Sequence, residues 1–174
     1  FAEARAGSTG RQVVPRGRGP GASGATFLDA PARPAGGVGP LGEEYIGQLR
    51  GEIRGILRLD GTYGGAVAGQ VAATVFQRAQ HMMRTAEIDR KILRDVHAVG
   101  AELAEVAAWS LYDAGRDQLA RLMNHEALGL CRLAGDLDME RFVLQNMAMH
   151  AGDLGSPRES LNIVQLVQQR GNMS

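Results

Sequence analysis

The residue types best able to do chemistry in this chain are four histidines, one cysteine and a few closely spaced carboxylates. His81, His97, His125 and His150 form neither an H-E-x-x-H nor an H-x-x-x-H arrangement, and no cysteine pair joins them. Zinc is therefore not expected, because its sites need three or four ligands brought together by short, regular spacings. His125 and Glu126 are adjacent, so on a helix their side chains diverge and cannot share a proton-transfer task. Glu102 and Glu105 are one turn apart and fall on one helix face, the minimal geometry for paired carboxylates; a solvated acidic face is the expectation. Ser110 follows Trp109 without a G-x-S-x-G elbow or a preceding strand, which removes the support for a serine hydrolase. Asp60-Gly61-Thr62-Tyr63-Gly64-Gly65 offers backbone amides to an anion, yet neither a phosphate-loop nor a dinucleotide fingerprint accompanies it, and it reads as a turn between helices. Lys91, the only lysine, stands beside Arg90 and Arg94 near Glu87 and Asp95, a solvated charged face. No catalytic residue, metal site or cofactor is expected, and the chain reads as non-enzymatic.

The elements that carry these residues are helical. Ile46, Leu49, Ile53, Ile56 and Leu57 recur at three- and four-residue steps in a helix that Asp60-Gly61 is expected to close. A second helix follows with a loose stripe of Val67, Val71, Val75 and Met82 as far as Arg84. From Ala86 the positions Ile88, Ile92, Val96, Val99, Leu103 and Val106 continue the period, either as one long helix or broken at Gly100. Then a pattern repeats. A helix delivered into Gly115 is followed by an apolar-periodic segment from Asp117 to Ala134, and a helix delivered into Gly155 by another from Pro157 to Gln169. Helix pairs of this size bury their apolar faces only by stacking on neighbours. The expected close-packed seams are Ala104, Ala107, Ala108 and Leu111 in one copy and Leu144, Met147, Ala148 and Ala151 in the other. The second helices contribute Ala120 and Ala127, then Ser160, Val164 and Val167. Small side chains belong where helix axes approach to roughly 8–10 Å. The fold class expected is all-α, with six or seven helices in stacked antiparallel pairs and no sheet.

Composition divides the chain. Hydrophobic residues make up 44% of the 174, and five of the six prolines precede Leu41. Residues 1–42 hold five arginines against two acids and few large apolar side chains, a flexible Gly/Pro/Arg-rich linker or tail whose charge of about +3 offsets about −3 in residues 43–174. The scattered arginines lack aromatic interleaving, so a solvated linker is expected in place of a nucleic-acid arm. No apolar run is long enough for a signal peptide or a membrane span. Cys131 is single and flanked by Leu128, Leu130 and Leu133, which excludes an internal disulfide and points to a buried small hydrophobe in a cytoplasmic protein. The start without Met, inside low-complexity sequence, leads to the expectation that this is a piece of a longer chain.

The spacing Ala108, Gly115, Ala120 and its echo Ala148, Gly155, Ser160 resembles the tetratricopeptide repeat, in a longer and degenerate form: Gly135 to Glu140 reads as an insertion and Leu144 stands where tryptophan is common. Several stretches, among them Leu41 to Arg50, Ala104 to Ala114, Asn124 to Leu128, Leu144 to His150 and Leu154 to Leu161, are similar to the C-terminal region of actinobacterial helix-turn-helix (XRE-type) transcriptional regulators. That resemblance covers about Leu41 to Gln169. It implies a tetratricopeptide-like α-solenoid over residues 43–174 that senses a small-molecule signal, peptide or protein partner and supports homodimerisation. DNA is implied as a partner only through an N-terminal helix-turn-helix domain absent from this chain, and no membrane partner is implied. The alternative is a stand-alone tetratricopeptide-like scaffold for a peptide or protein. In that register the groove-facing residues are Glu102, Glu105, Trp109 and Tyr112 in one copy and Phe142, Gln145 and Met149 in the next, with Trp109 and Phe142 as core residues the competing reading. Self-association is expected from the last helix, where Leu161, Ile163, Val164, Leu166 and Val167 spread over more than one side.

Overall fold

A computed structural model describes residues 40–171, with side-chain surroundings through Gln169. The tail assigned to residues 1–42 therefore lies, up to residue 39, outside the described residues. The rest is six helices: α1 (Glu43–Tyr63), α2 (Gly65–Thr85), α3 (Leu93–Asp113), α4 (Asp117–Ala134), α5 (Leu137–Asp153) and α6 (Pro157–Gly171). Consecutive helices pack as pairs, and α3 additionally meets α1 and α5. Among the described residues no β-strand occurs; one isolated parallel bridge pairs Leu41 with Ile88. The all-α arrangement of paired helices is the one expected.

Helix α1 buries Tyr45, Ile46, Leu49, Ile53 and Ile56, one stripe at helical spacing, with Glu43 and Glu44 at its positive N-terminal end. It does not stop at Asp60-Gly61. An internal glycine costs only about 1 kcal/mol, and the helix runs one more turn to Gly64, whose φ of 77° ends it and whose N–H donates to the Asp60 carbonyl at 2.9 Å.

Helix α2 turns a different face inward from the one its valines suggest. Gly65, Ala68, Gly69, Ala72, Phe76 and Ala79 are buried, while Val67 and Val71 are exposed. The cause is backbone proximity. A Cβ at Gly65 would lie 2.3 Å from the Ser110 carbonyl oxygen, and one at Gly69 would lie 3.1 Å from the Leu111 nitrogen. The small-residue stripe is thus the one that lets α2 lie against α3; of the expected stripe Val67 and Val71 are turned to solvent, while Val75 and Met82 pack half-buried against the core.

The segment expected to begin a long helix at Ala86 is instead a link. Leu41 N–H donates to the Glu87 carbonyl at 2.8 Å, Asp89 N–H donates back to the Leu41 carbonyl at 3.4 Å, and α3 starts only at Leu93. From there it passes unbroken through Gly100. It is the central helix, with twelve buried residues spread around its circumference, which is why its apolar period is blurred.

Gly115, Gly135 and Gly155 have φ of 69°, 67° and 75°. Each closes a helix in the same way: Gly115 N–H donates to Tyr112 and Arg116 N–H to Leu111, Gly135 to Arg132 and Asp136 to Cys131, Gly155 to Gly152 and Ser156 to Ala151, all at 2.8–3.2 Å. This is the two-bond helix stop that needs a left-handed residue. Gly135 to Glu140 is accordingly not an insertion. It is the turn between α4 and α5 plus the first turn of α5, capped by Asp136, whose carboxylate accepts from Met139 N–H at 2.9 Å.

The expected seams are inside. Ala104, Ala107, Ala108 and Leu111 are buried, as are Leu144, Ala148 and Ala151, with Met147 half-buried. In the second helices Ala120 and Ala127 are buried, but Ser160 and Val167 are only half-buried and Val164 is 40% exposed.

Candidate interaction face

Helices α3 and α5 lie side by side and are joined by three contacts between residues 41 apart. Asn146 Nδ2 donates to Glu105 Oε1 at 3.0 Å. Trp109 and the His150 ring have centroids 6.2 Å apart. Tyr112 donates its hydroxyl proton to Asp153 Oδ2. Successive rungs are four and three residues apart along α3, so all three fall on one face. The aromatic members also touch each other: Tyr112 stacks on His150 at 3.9 Å and 12°, and Trp109 lies 6.2 Å from Tyr112.

This ladder decides where the seven expected groove residues stand. Glu105 is fully buried and forms part of the wall under Asn146, not of an open groove surface. Trp109 and Tyr112 are half-buried within the aromatic cluster, and Glu102 and Phe142 are also half-buried. Gln145 is exposed and Met149 is 40% exposed. With Glu105 inside and Glu102 at the margin, the two carboxylates sit in different environments.

Three contributors, Asn146, His150 and Asp153, were not singled out from the sequence as site residues. The repeat itself carried the signal. Each lies one residue beyond the forty-residue period from its partner on α3, the offset produced when like helices stack.

His150 is 3% exposed, and burial lowers its pKa from the ordinary histidine value although Asp153 and Asp117 act in the opposite direction. Its Nδ1 lies 3.3 Å from Asn124 Nδ2. His97 is also lowered, again by burial, with a backbone bond at Leu133 opposing. His81 and His125 are exposed. Cys131 is buried and its thiol is pushed up to about 12, first by burial and then by Asp136 and Glu140, so it is not a nucleophile. Among the described residues no group of histidine, cysteine and carboxylate side chains is placed to hold a metal ion.

Two hollows accompany the face. One is a cavity of about 10 Å³ between α4, α5 and α6, lined by Arg121, Asn124, His150 and Glu159 among others. The other is an open groove of about 770 Å³ where the start of α3 meets the α4–α5 turn. Its charges are mixed: Lys91, Arg94 and Arg141 alternate with Asp95, Asp136 and Asp138, and Arg94 Nε donates to the Ala134 carbonyl at 3.0 Å.

Helix α6 also carries exposed apolar side chains, as α4 does at Leu119, Leu122 and Leu133. None of its residues from Pro157 to Gln169 is buried, and Leu161, Val164 and Leu166 are 61%, 40% and 37% exposed. From Ser160 to Gln169 the helix carries no charged side chain. No helix among the described residues is long and apolar enough to cross a membrane. Comparison with family models, with curated proteins and with solved structures finds no match for this chain.

Proposed function

We propose that this chain is a protein-interaction and signal-sensing module that self-associates through α6, the sensor region of a transcriptional regulator whose DNA-reading part lies in another segment. One observation carries the self-association: α6 is an amphipathic helix with no buried residue from Pro157 to Gln169 and a ten-residue uncharged stretch on its surface. A helix face left to solvent in a monomer normally carries polar or charged side chains. A neutral face also lets a second copy approach, since isologous pairing opposes the patch with its own copy and an unbalanced charge there would face the same excess. A small-molecule signal, peptide or protein partner is assigned to the α3–α5 side, where Trp109, Met149 and Gln145 combine adaptable apolar area with an amide. The link to a regulator rests on the sequence resemblance.

Sedimentation velocity of the full chain over a concentration series tests the self-association. The unaltered protein is expected to dimerise in the micromolar range and Leu161→Glu to remain monomeric at the same concentrations with unchanged helicity. An unaltered chain that is monomeric at high micromolar concentration refutes the reading.

A further inference from the structure

His150 occupies a position whose hydrogen bonding is incomplete. An amide nitrogen only donates, so Nδ1 of the ring accepts from Asn124 and the ring proton resides on Nε2. His150 Nε2 and Asn124 Oδ1 are both buried without a hydrogen-bond partner in the protein. Turning the amide over exchanges the two roles and still leaves one ring nitrogen and one amide atom without a partner. Both residues line the 10 Å³ cavity, which has room for a single water.

The charged and titratable groups around the imidazole come from every packed element. Asp153 lies on its own helix, Asp117 and Arg121 on α4, and Glu159 on α6. The Tyr112 ring of α3 covers one face. Asp153 already accepts from Tyr112, and Glu159 is engaged by Arg121 in an ion pair that bridges α4 and α6 over the cavity. A second ring proton would appear on Nδ1, against the Asn124 amide donor, in a site with space for only one solvent molecule. The least costly way to hydrate it is to move the element with the least burial, and that element is α6.

We propose that the α4–α5–α6 junction is a proton-operated latch: His150 accepts a proton only when α6 lifts its Glu159 from the cavity and admits water, so acidification releases α6 while α3 and α4 stay packed. The direction follows from linkage. Burial holds the docked His150 below the ordinary histidine value, and water admitted on release relieves part of that burial, so docking is favoured at higher pH and weakens as pH falls towards the docked value, by up to about tenfold per pH unit. The latch depends on the packing under α6 and not on what α6 docks against.

Amide hydrogen exchange of the full chain at pH 7.5 and 5.5, expressed as protection factors, tests it. The α6 amides are expected to lose up to about tenfold in protection over the unit below 6.5, with α3 unchanged and with no such loss in His150→Gln. Equal α6 protection at both pH values, or an equal loss in His150→Gln, overturns the latch. Imidazole nitrogen shifts of the unaltered chain supply a second reading that does not depend on the folding of His150→Gln: titration of His150 below 6.5 supports the latch, and titration at or above 6.5 overturns it. The same exchange measurement on Leu161→Glu separates the two proposals. A pH response that persists there belongs to the latch whether or not the chain dimerises, and one that vanishes there belongs to an interface and overturns it.

Discussion

Glu105, Trp109 and Tyr112 each meet a residue 41 positions later, and those meetings fix how one helix pair sits on the next. Truncating Asn146 to Ala removes the amide that donates to the buried Glu105 carboxylate and is expected to cost about 1–3 kcal/mol, read as a lower urea midpoint at unchanged slope. Tyr112→Phe keeps the ring stacked on His150 and loses the bond to Asp153, an exposed contact, so its expected cost is smaller, about 0.5–1.5 kcal/mol. A Tyr112→Phe cost equal to that of Asn146→Ala would place the weight of the ladder in its exposed rung. The seven groove candidates were legible as residues of α3 and α5, because helical period and repeat length assign them there. That Glu105 is inside and Met149 outside was not legible, since both depend on how far one helix pair rotates against the next.

At the scale of the elements, the turns were readable and the faces were not always so. Gly115 and Gly155 mark helix ends in the sequence because only glycine takes the left-handed position without penalty, and Gly135 does the same once the twenty-residue spacing among the three is noticed. Gly115→Ala, with open space around the added Cβ, is expected to cost about 1–2 kcal/mol from backbone strain alone. Gly65→Ala tests something different. Its φ lies outside the left-handed region, but the new Cβ would collide with the Ser110 carbonyl, so α2 must shift and the expected loss is about 1–3 kcal/mol with increased exchange along α2. The inward face of α2 was misread at Val67 and Val71 for the same reason, although Val75 and Met82 do pack against the core: hydrophobicity favours the valines, whereas the backbone approach to α3 demands glycine and alanine, a requirement that exists only once both helices are placed.

For the whole molecule, pH and assembly are the informative variables. His97 and His150 are both held below the ordinary 6.5 by burial, so their contribution to stability is fully present above 6.5 and is lost as pH falls towards the folded-state values. Thermal midpoints are expected to drop between pH 7 and 5.5, and His97→Gln and His150→Gln to flatten that drop in part; an unchanged profile in both variants would contradict the assignment. An all-α fold of six or seven paired helices was legible from periodicity, and six are present among the described residues, while the release of α6 by a proton depends on a cavity between three helices that no single segment encodes. The central claim is that α6 is where two copies meet. Gln165, in the middle of its uncharged stretch, is the position to test it: Gln165→Cys, mildly oxidised beside a control cysteine at the exposed Gln70 of α2, is expected to form a covalent dimer at micromolar concentration while the control does not. Equal or absent cross-linking at the two positions would contradict the claim and leave α6 without the role assigned to it.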